Sequence, residues 1–223
     1  SVFSAALDAA YPPFAHLGAA KPALRIRDMK SRWGSCMPQK GVITINMNRL
    51  VQNLAKGKQD ITANDIVSRV TEQVEQIHKY LLAWNNIVHE RYEANLLPIY
   101  NAGYIGLDKQ YLTVGINGMV EAAEFLGIPI TDNPQYTEFV QKVLGVMERY
   151  NKKYRTKETL FNCEMIPAEN VGVKHAKWDR EDGYMVPRDC YNSYFYIVED
   201  DSLNIIDKFR LHGRKYIEHL TGG

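Results

Sequence analysis

Cysteine is scarce. Cys36, Cys163 and Cys190 are the only three in 223 residues, and no two form a CxxC pair. That spacing argues against a tetrahedral cysteine zinc site, so no metal is expected, and so few thiols argue against a disulfide framework. A reducing, cytoplasmic setting is the expectation. Charge of one sign is also lacking: 27 basic residues against 26 acidic ones leave a net charge of +1. There is no basic field for DNA or RNA, although a nucleotide, which needs only local donors, stays open as a ligand. No apolar run reaches the roughly 18–20 residues that span a bilayer. The N-terminal text SVFSAALDAAYPPF has no basic stretch ahead of its short apolar segment, so a signal peptide is not expected. Internal repeats and low-complexity segments are missing as well.

What is present suits a globular protein able to bury a core, with 45% hydrophobic and 24% charged residues. The first 40 residues differ in texture from the rest. They hold an Ala-rich stretch, Pro12-Pro13, Gly18 and Pro22, then the compact basic run LRIRDMKSRWGSC, where alternation at Leu24, Ile26 and Met29 suggests a short strand. GVITIN, residues 41–46, is the clearest strand, and its near-continuous apolarity suits burial on both faces, as in a parallel sheet covered by helices.

Ile61 to Tyr92 is the clearest helix. Thr62 is placed to cap it with Asp65 in the capping-box position, and Ile66, Val70, Val74, Ile77, Leu81 and Val88 share one face, with Asn85 among the residues of the other. YLTVGI (111–116) reads as a second strand, 119–126 and 134–154 as amphipathic helices, 159–166 and 194–198 as further strands, and 205–220 as a last mixed helix. Strands alternating with helices, one of them very long, indicate an α/β fold.

Three segments carry chemistry. Asn46 ends the first strand, where a carboxamide suits ribose hydroxyls, or it simply caps the helix that follows. Pro167-Ala168-Glu169-Asn170 ends another strand and presents a carboxylate that is either a general acid or base or a loop anchor. In DCYNSYFY, Asn192 and Ser193 either donate to phosphate or sugar or are ordinary turn residues. The six histidines are read as structural or solvated.

With TVGINGMVEAAEFLG (113–127), the order TINxxRL, long helix, LLP, VGxNGxxEAxxxxG, PAEN, YNS over residues 41–223 resembles the anaerobic, class III ribonucleotide reductases. The resemblance implies part of a glycyl-radical-enzyme-type α/β barrel with long amphipathic helices. It also implies radical reduction of ribonucleoside triphosphates, in which a glycyl radical oxidises a cysteine to a thiyl. The thiyl abstracts the ribose 3′ hydrogen, the 2′ hydroxyl leaves as water, and formate or a dithiol supplies electrons. By position, Asn46, Asn192 and Ser193 then face the substrate, Glu169 is the active-site carboxylate, and Cys36 is the thiyl cysteine. The implied partners are the ribonucleotide, an iron–sulfur/S-adenosylmethionine activase that generates the radical, and a second copy of the chain in a homodimer. The family's radical glycine has no counterpart here: Arg210-Leu211-His212-Gly213 lacks the neighbouring cysteine. The chain alone is therefore expected to be inactive, with no cofactor of its own.

A second resemblance lies at the N-terminus. The stretch from Lys21 to Asn46, with its SRWGSC box, is similar to the region preceding the zinc motif of small bacterial metallopeptidases. The HExxH that should follow is missing, since the only His-Glu pair, His89-Glu90, lacks its second histidine. The expected division is a metallopeptidase-like segment, 1–40, and a partial reductase barrel, 41–223. The alternatives are a non-catalytic module that binds a nucleotide or a partner, and a degenerate zinc peptidase remnant.

Overall fold

A computed structural model describes residues 39–58, 60–166 and 169–220, with Glu169 described in its backbone only. Cys36 and the strand expected near Leu24 lie outside the described residues.

Three parallel strands form one sheet in the order β1 (Gly41–Asn46), β2 (Tyr111–Asn117) and β3 (Leu160–Met165). Between β1 and β2 run α1 (Met47–Ala55), α2 (Ala63–Glu93) and the short α3 (Pro98–Asn101). Between β2 and β3 run α4 (Met119–Phe125) and α5 (Pro134–Tyr154). After β3 come α6 (Glu169–Glu181), α7 (Ile205–Leu211) and α8 (Arg214–Ile217). Parallel neighbours require such helical crossovers, because each strand must begin again at the same edge.

The 31-residue α2 starts as its text dictates: Thr62 Oγ1 accepts from Asp65 N–H and the Asp65 carboxylate accepts from Thr62 N–H, a reciprocal cap. Its apolar stripe packs on the sheet beside α5. Asn85, expected on the solvent side, is buried at the end of that stripe, while Val88 is not. The helical period brings position 85 back under Leu81, so burial follows geometry rather than residue type.

Period-two alternation gives the sheet two unlike faces. Ile43, Ile45, Leu112, Val114, Ile116, Phe161, Cys163 and Met165 join the helices in the core. The other face carries Thr44, Asn46, Thr113, Asn117, Asn162 and Glu164. There Thr113 donates to Asn162 Oδ1 at 2.6 Å, and Asn162 donates to Glu164 at 2.5 Å. The expectation of burial on both faces holds for β2, buried from Leu112 to Asn117, but not throughout β1, where Val42 is exposed; α6 reaches the polar face at its Asn46 and Asn117 end. Two further corrections concern the C-terminal third. Residues 194–196 form bends and 198 enters a turn where a strand was expected, and the expected helix 205–220 breaks at His212 and Gly213 into two short helices.

Candidate functional site

The parallel register brings the C-terminal ends of all three strands to one edge: Asn46 pairs with Asn117, and Ile116 with Met165. At such an edge the chain leaves each strand and turns toward a helix, so backbone and side-chain polar groups gather. Glu169 opens α6 four residues beyond β3, on this same side.

Asn46 is the N-cap of α1. Its Oδ1 accepts the Arg49 N–H at 3.0 Å, and its Nδ2 donates to both oxygens of Asp179, at 3.0 and 2.9 Å. Of the two readings open from sequence, capping is thus what the side-chain geometry displays.

Asp179, on α6, is fully buried and is the hub of the edge. It also accepts from Arg49 Nε at 2.5 Å and from the Tyr191 hydroxyl at 2.7 Å. A buried carboxylate needs such partners, because its lost hydration must be replaced. Burial works against the Arg49 charge, but Asp179 and then Asp182, 2.6 Å from Nη2, outweigh it and raise the guanidinium pKa. Burial, with the adjacent Asp179, pushes the Tyr191 phenol well above its ordinary range. Asn48 donates to the Tyr191 hydroxyl oxygen at 2.6 Å and to Met185 O at 2.9 Å. Gln52, one turn along α1, donates to Asn48 Oδ1 at 2.9 Å. This amide ladder ties the loop after α6 to the first helix.

Asn117 is fully buried at the tip of β2. Its Nδ2 donates to Tyr191 O, Asn192 O and Ser193 Oγ, each at 3.3 Å, and its Oδ1 lies 3.2 Å from Nδ1 of His175. His175 is half-buried on α6, one turn before Asp179. Burial lowers its pKa, with Arg49 adding to the lowering and Asp179 opposing it, which favours the neutral imidazole.

The 185–193 segment is strapped down at several points. Gly118, with φ of 77° where only glycine is unstrained, donates its N–H to Asn192 O at 3.1 Å. Glu121, fully buried on α4, accepts from Asn192 N–H at 3.0 Å, from Asn192 Nδ2 at 2.8 Å and from Arg188 at 2.6 Å. Burial nevertheless raises the Glu121 pKa against these partners. Gly172 of α6 lies so close that a Cβ there would stand 2.6 Å from Tyr191 O.

Asn46, Asn192 and Ser193 are thus gathered at one edge, joined through Asn117 and Asp179. The Glu169 side chain and Cys36 lie outside the described residues. Sequence reasoning singles out none of Asn117, Asp179, Asn48 and Glu121 as a site residue, although VGxNGxxEAxxxxG contains Asn117 and Glu121; it reads His175 only as structural or solvated, and it does not show α6 as a helix. The available signal was Asn117 itself, since two asparagines end two strands of similar length. Among the described residues, no three His, Cys, Asp or Glu side chains gather to hold a metal ion, and no helix is long and apolar enough to cross a membrane. A groove of about 200 Å³ lined by Ile61, Ile66, Leu126 and Phe139 together with Gln135, Glu138 and Lys142 includes none of the edge residues.

The model of one family, described as anaerobic ribonucleoside-triphosphate reductase, matches residues 23–223. No curated protein matches. Among solved structures, the anaerobic ribonucleotide reductase from Thermotoga maritima with dATP bound in the specificity site is 26% identical with a TM-score of 0.72, over 82% of this chain and 31% of that one. The same enzyme with citrate in the active site gives 26% and 0.71, over 82% and 34%. In complex with dATP and CTP it gives 26% and 0.72, over 82% and 30%. The chain thus spans about a third of the length of these solved relatives. The family match begins at residue 23, inside the stretch likened above to a metallopeptidase, and none of the comparisons supports that likeness. With a match over nearly its whole length, the chain belongs to the anaerobic ribonucleoside-triphosphate reductase family.

Proposed function

We propose that the polar edge of the sheet is the nucleotide-facing rim of a reductase barrel that converts ribonucleoside triphosphates to deoxyribonucleotides. The observation that carries this reading is the convergence of three parallel strand ends, with Asn46 and Asn117 in register and the segment bearing Asn192 and Ser193 bound across them. Crevices outside the carboxyl ends of parallel strands are where α/β folds bind ligands.

In this proposal the half-exposed Ser193 hydroxyl and the Asn46 amide contact sugar or phosphate, and Asn192 holds the backbone of its segment through Glu121. Glu169, opening α6 at the same edge, serves as the acid or base, and Cys36 as the thiol nearest the sugar. A glycyl radical, raised by an iron–sulfur and S-adenosylmethionine activase, would oxidise the cysteine to the thiyl that takes the ribose hydrogen. This chain's own residues bind, orient and keep water from the sugar. A second copy of the chain is the proposed oligomeric partner.

The test is calorimetry of CTP binding to the full chain, CTP being a ligand of the Thermotoga maritima enzyme. Ser193→Ala and Glu169→Gln should each weaken CTP by about five-fold, the worth of one hydrogen bond. Asn46→Ala should weaken it further by loosening the rim. CTP binding indifferent to all three substitutions would favour a non-catalytic module that binds elsewhere, and no CTP binding would end the proposal.

A further inference from the structure

Among the groups at the rim, His175 presents an unused acceptor. Asn117 Nδ2 must face Tyr191 O and Asn192 O, because both are carbonyl oxygens that only accept. The amide is therefore fixed with Oδ1 toward His175, and Nδ1 at 3.2 Å must be the donor. In a neutral imidazole the proton then sits on Nδ1, which leaves the Nε2 lone pair bare. Nε2 has no hydrogen-bond partner among the described residues, and the ring is half-buried rather than sealed in the core.

We propose that His175 is a ligand-facing residue whose Nε2 accepts a hydrogen bond from a ribose hydroxyl of a nucleotide held at the strand ends. This rests on the nucleotide-facing reading of the rim given above. The chemistry selects the hydroxyl over phosphate. An anion would need a protonated ring, and burial together with the Arg49 charge opposes protonation, with only the Asp179 carboxylate, one turn away on the same helix, favouring it. Trp178, half exposed, has its ring centroid 6.4 Å from that of His175. The contact with Asn117 orients the ring, so the acceptor is set in place before the ligand arrives and little is lost in ordering it.

The experiment is nitrogen NMR of the full chain with labelled histidines, His175 being assigned by its loss in His175→Phe. In the free protein the ring should show a proton on Nδ1 and an unprotonated Nε2 at pH 7. CTP should move the Nε2 resonance toward that of a hydrogen-bonded acceptor, and either the 2′-deoxy or the 3′-deoxy analogue should fail to do so, which identifies the hydroxyl. His175→Phe should weaken CTP about five-fold while leaving the binding of that one analogue unchanged. CTP bound without movement at Nε2, or both analogues moving it as CTP does, overturns the assignment and leaves the nucleotide reading standing. A free protein with the proton on Nε2 overturns it as well. No CTP binding at all overturns both.

Discussion

Asn46 and Asn117 end neighbouring parallel strands as register partners, and each spends its amide on a different side of the rim. Asn46 turns to Asp179 and the start of α1, and Asn117 turns to the 191–193 backbone and His175. Helix α6 answers both, since His175 and Asp179 lie one turn apart on it. Two strand tips and one helix are thereby locked into a single polar layer.

Asp179 is the most heavily used side chain of the layer. Asp179→Ala leaves the Tyr191 hydroxyl buried without its acceptor and frees Arg49 and the Asn46 amide, so it should cost about 3 kcal/mol of stability. Urea denaturation of the two proteins measures this directly, and a loss below about 1 kcal/mol would show that the hub is dispensable.

Glu121 should make its own mark on the pH dependence of stability. Its folded pKa is raised from 4.5, so the folded state holds the proton more tightly than the unfolded chain. Its stabilising contribution is therefore complete below pH 4.5 and is lost as pH rises through the raised value. Glu121→Gln has no such term and should improve relative to the parent protein as pH climbs from 4.5 toward neutrality. A constant difference between the two across that range would count against the shift.

His78 and His175 act at the opposite end of the scale. Burial lowers both pKa values from 6.5, His78 lying among Tyr154, Phe161 and Tyr150 with its Nδ1 2.7 Å from Val74 O. A depressed folded pKa means stability that is present above 6.5 and falls away below it as the unfolded chain takes up protons first. Each histidine should contribute a loss of stability as pH falls below 6.5, opposite in sign to the Glu121 contribution. His78→Gln and His175→Phe should each flatten that fall relative to the parent protein. Parallel curves for parent and variants would refute the assignment.

Gly172→Ala should push the loop away from the rim, because the added Cβ would stand 2.6 Å from Tyr191 O and 2.9 Å from Cys190 Sγ. Overpacking of this kind costs about 1–3 kcal/mol. The sharper readout is hydrogen exchange at Tyr191 N–H, bonded to Gly172 O at 3.3 Å, and at Gly118 N–H, bonded to Asn192 O at 3.1 Å. Both amides should exchange faster in the variant, whereas a uniform change across the protein would indicate global destabilisation only.

Much of the fold was legible because it depends on local rules. The β-branched run at 41–46, the Thr62 to Asp65 box and the stripe of 134–154 each name their own element. Helix α6 was hidden because its mean hydropathy is low and its useful residues are His175 and Asp179, whose partners lie far off in sequence. The 194–198 run resembled a strand by aromatic content, yet Phe195 is buried by packing against Tyr216 and the Tyr136 hydroxyl donates to Phe195 O at 2.7 Å, so no ladder is needed to bury it. The rim was half visible: Asn46, Asn192 and Ser193 stood out, but Asn117, which joins the latter two to β2, did not.

By itself the sequence determined where strands and helices begin, through β-branching, caps and apolar period, and it carried the order of motifs that marks the family. What only the tertiary structure decided is which polar groups meet. A hydrogen bond such as Asn46 to Asp179 spans 133 residues, and its existence depends on strand register and on the rotation of α6 over the sheet. No local preference encodes either, because register and rotation are settled by the packing of the whole core against the apolar face.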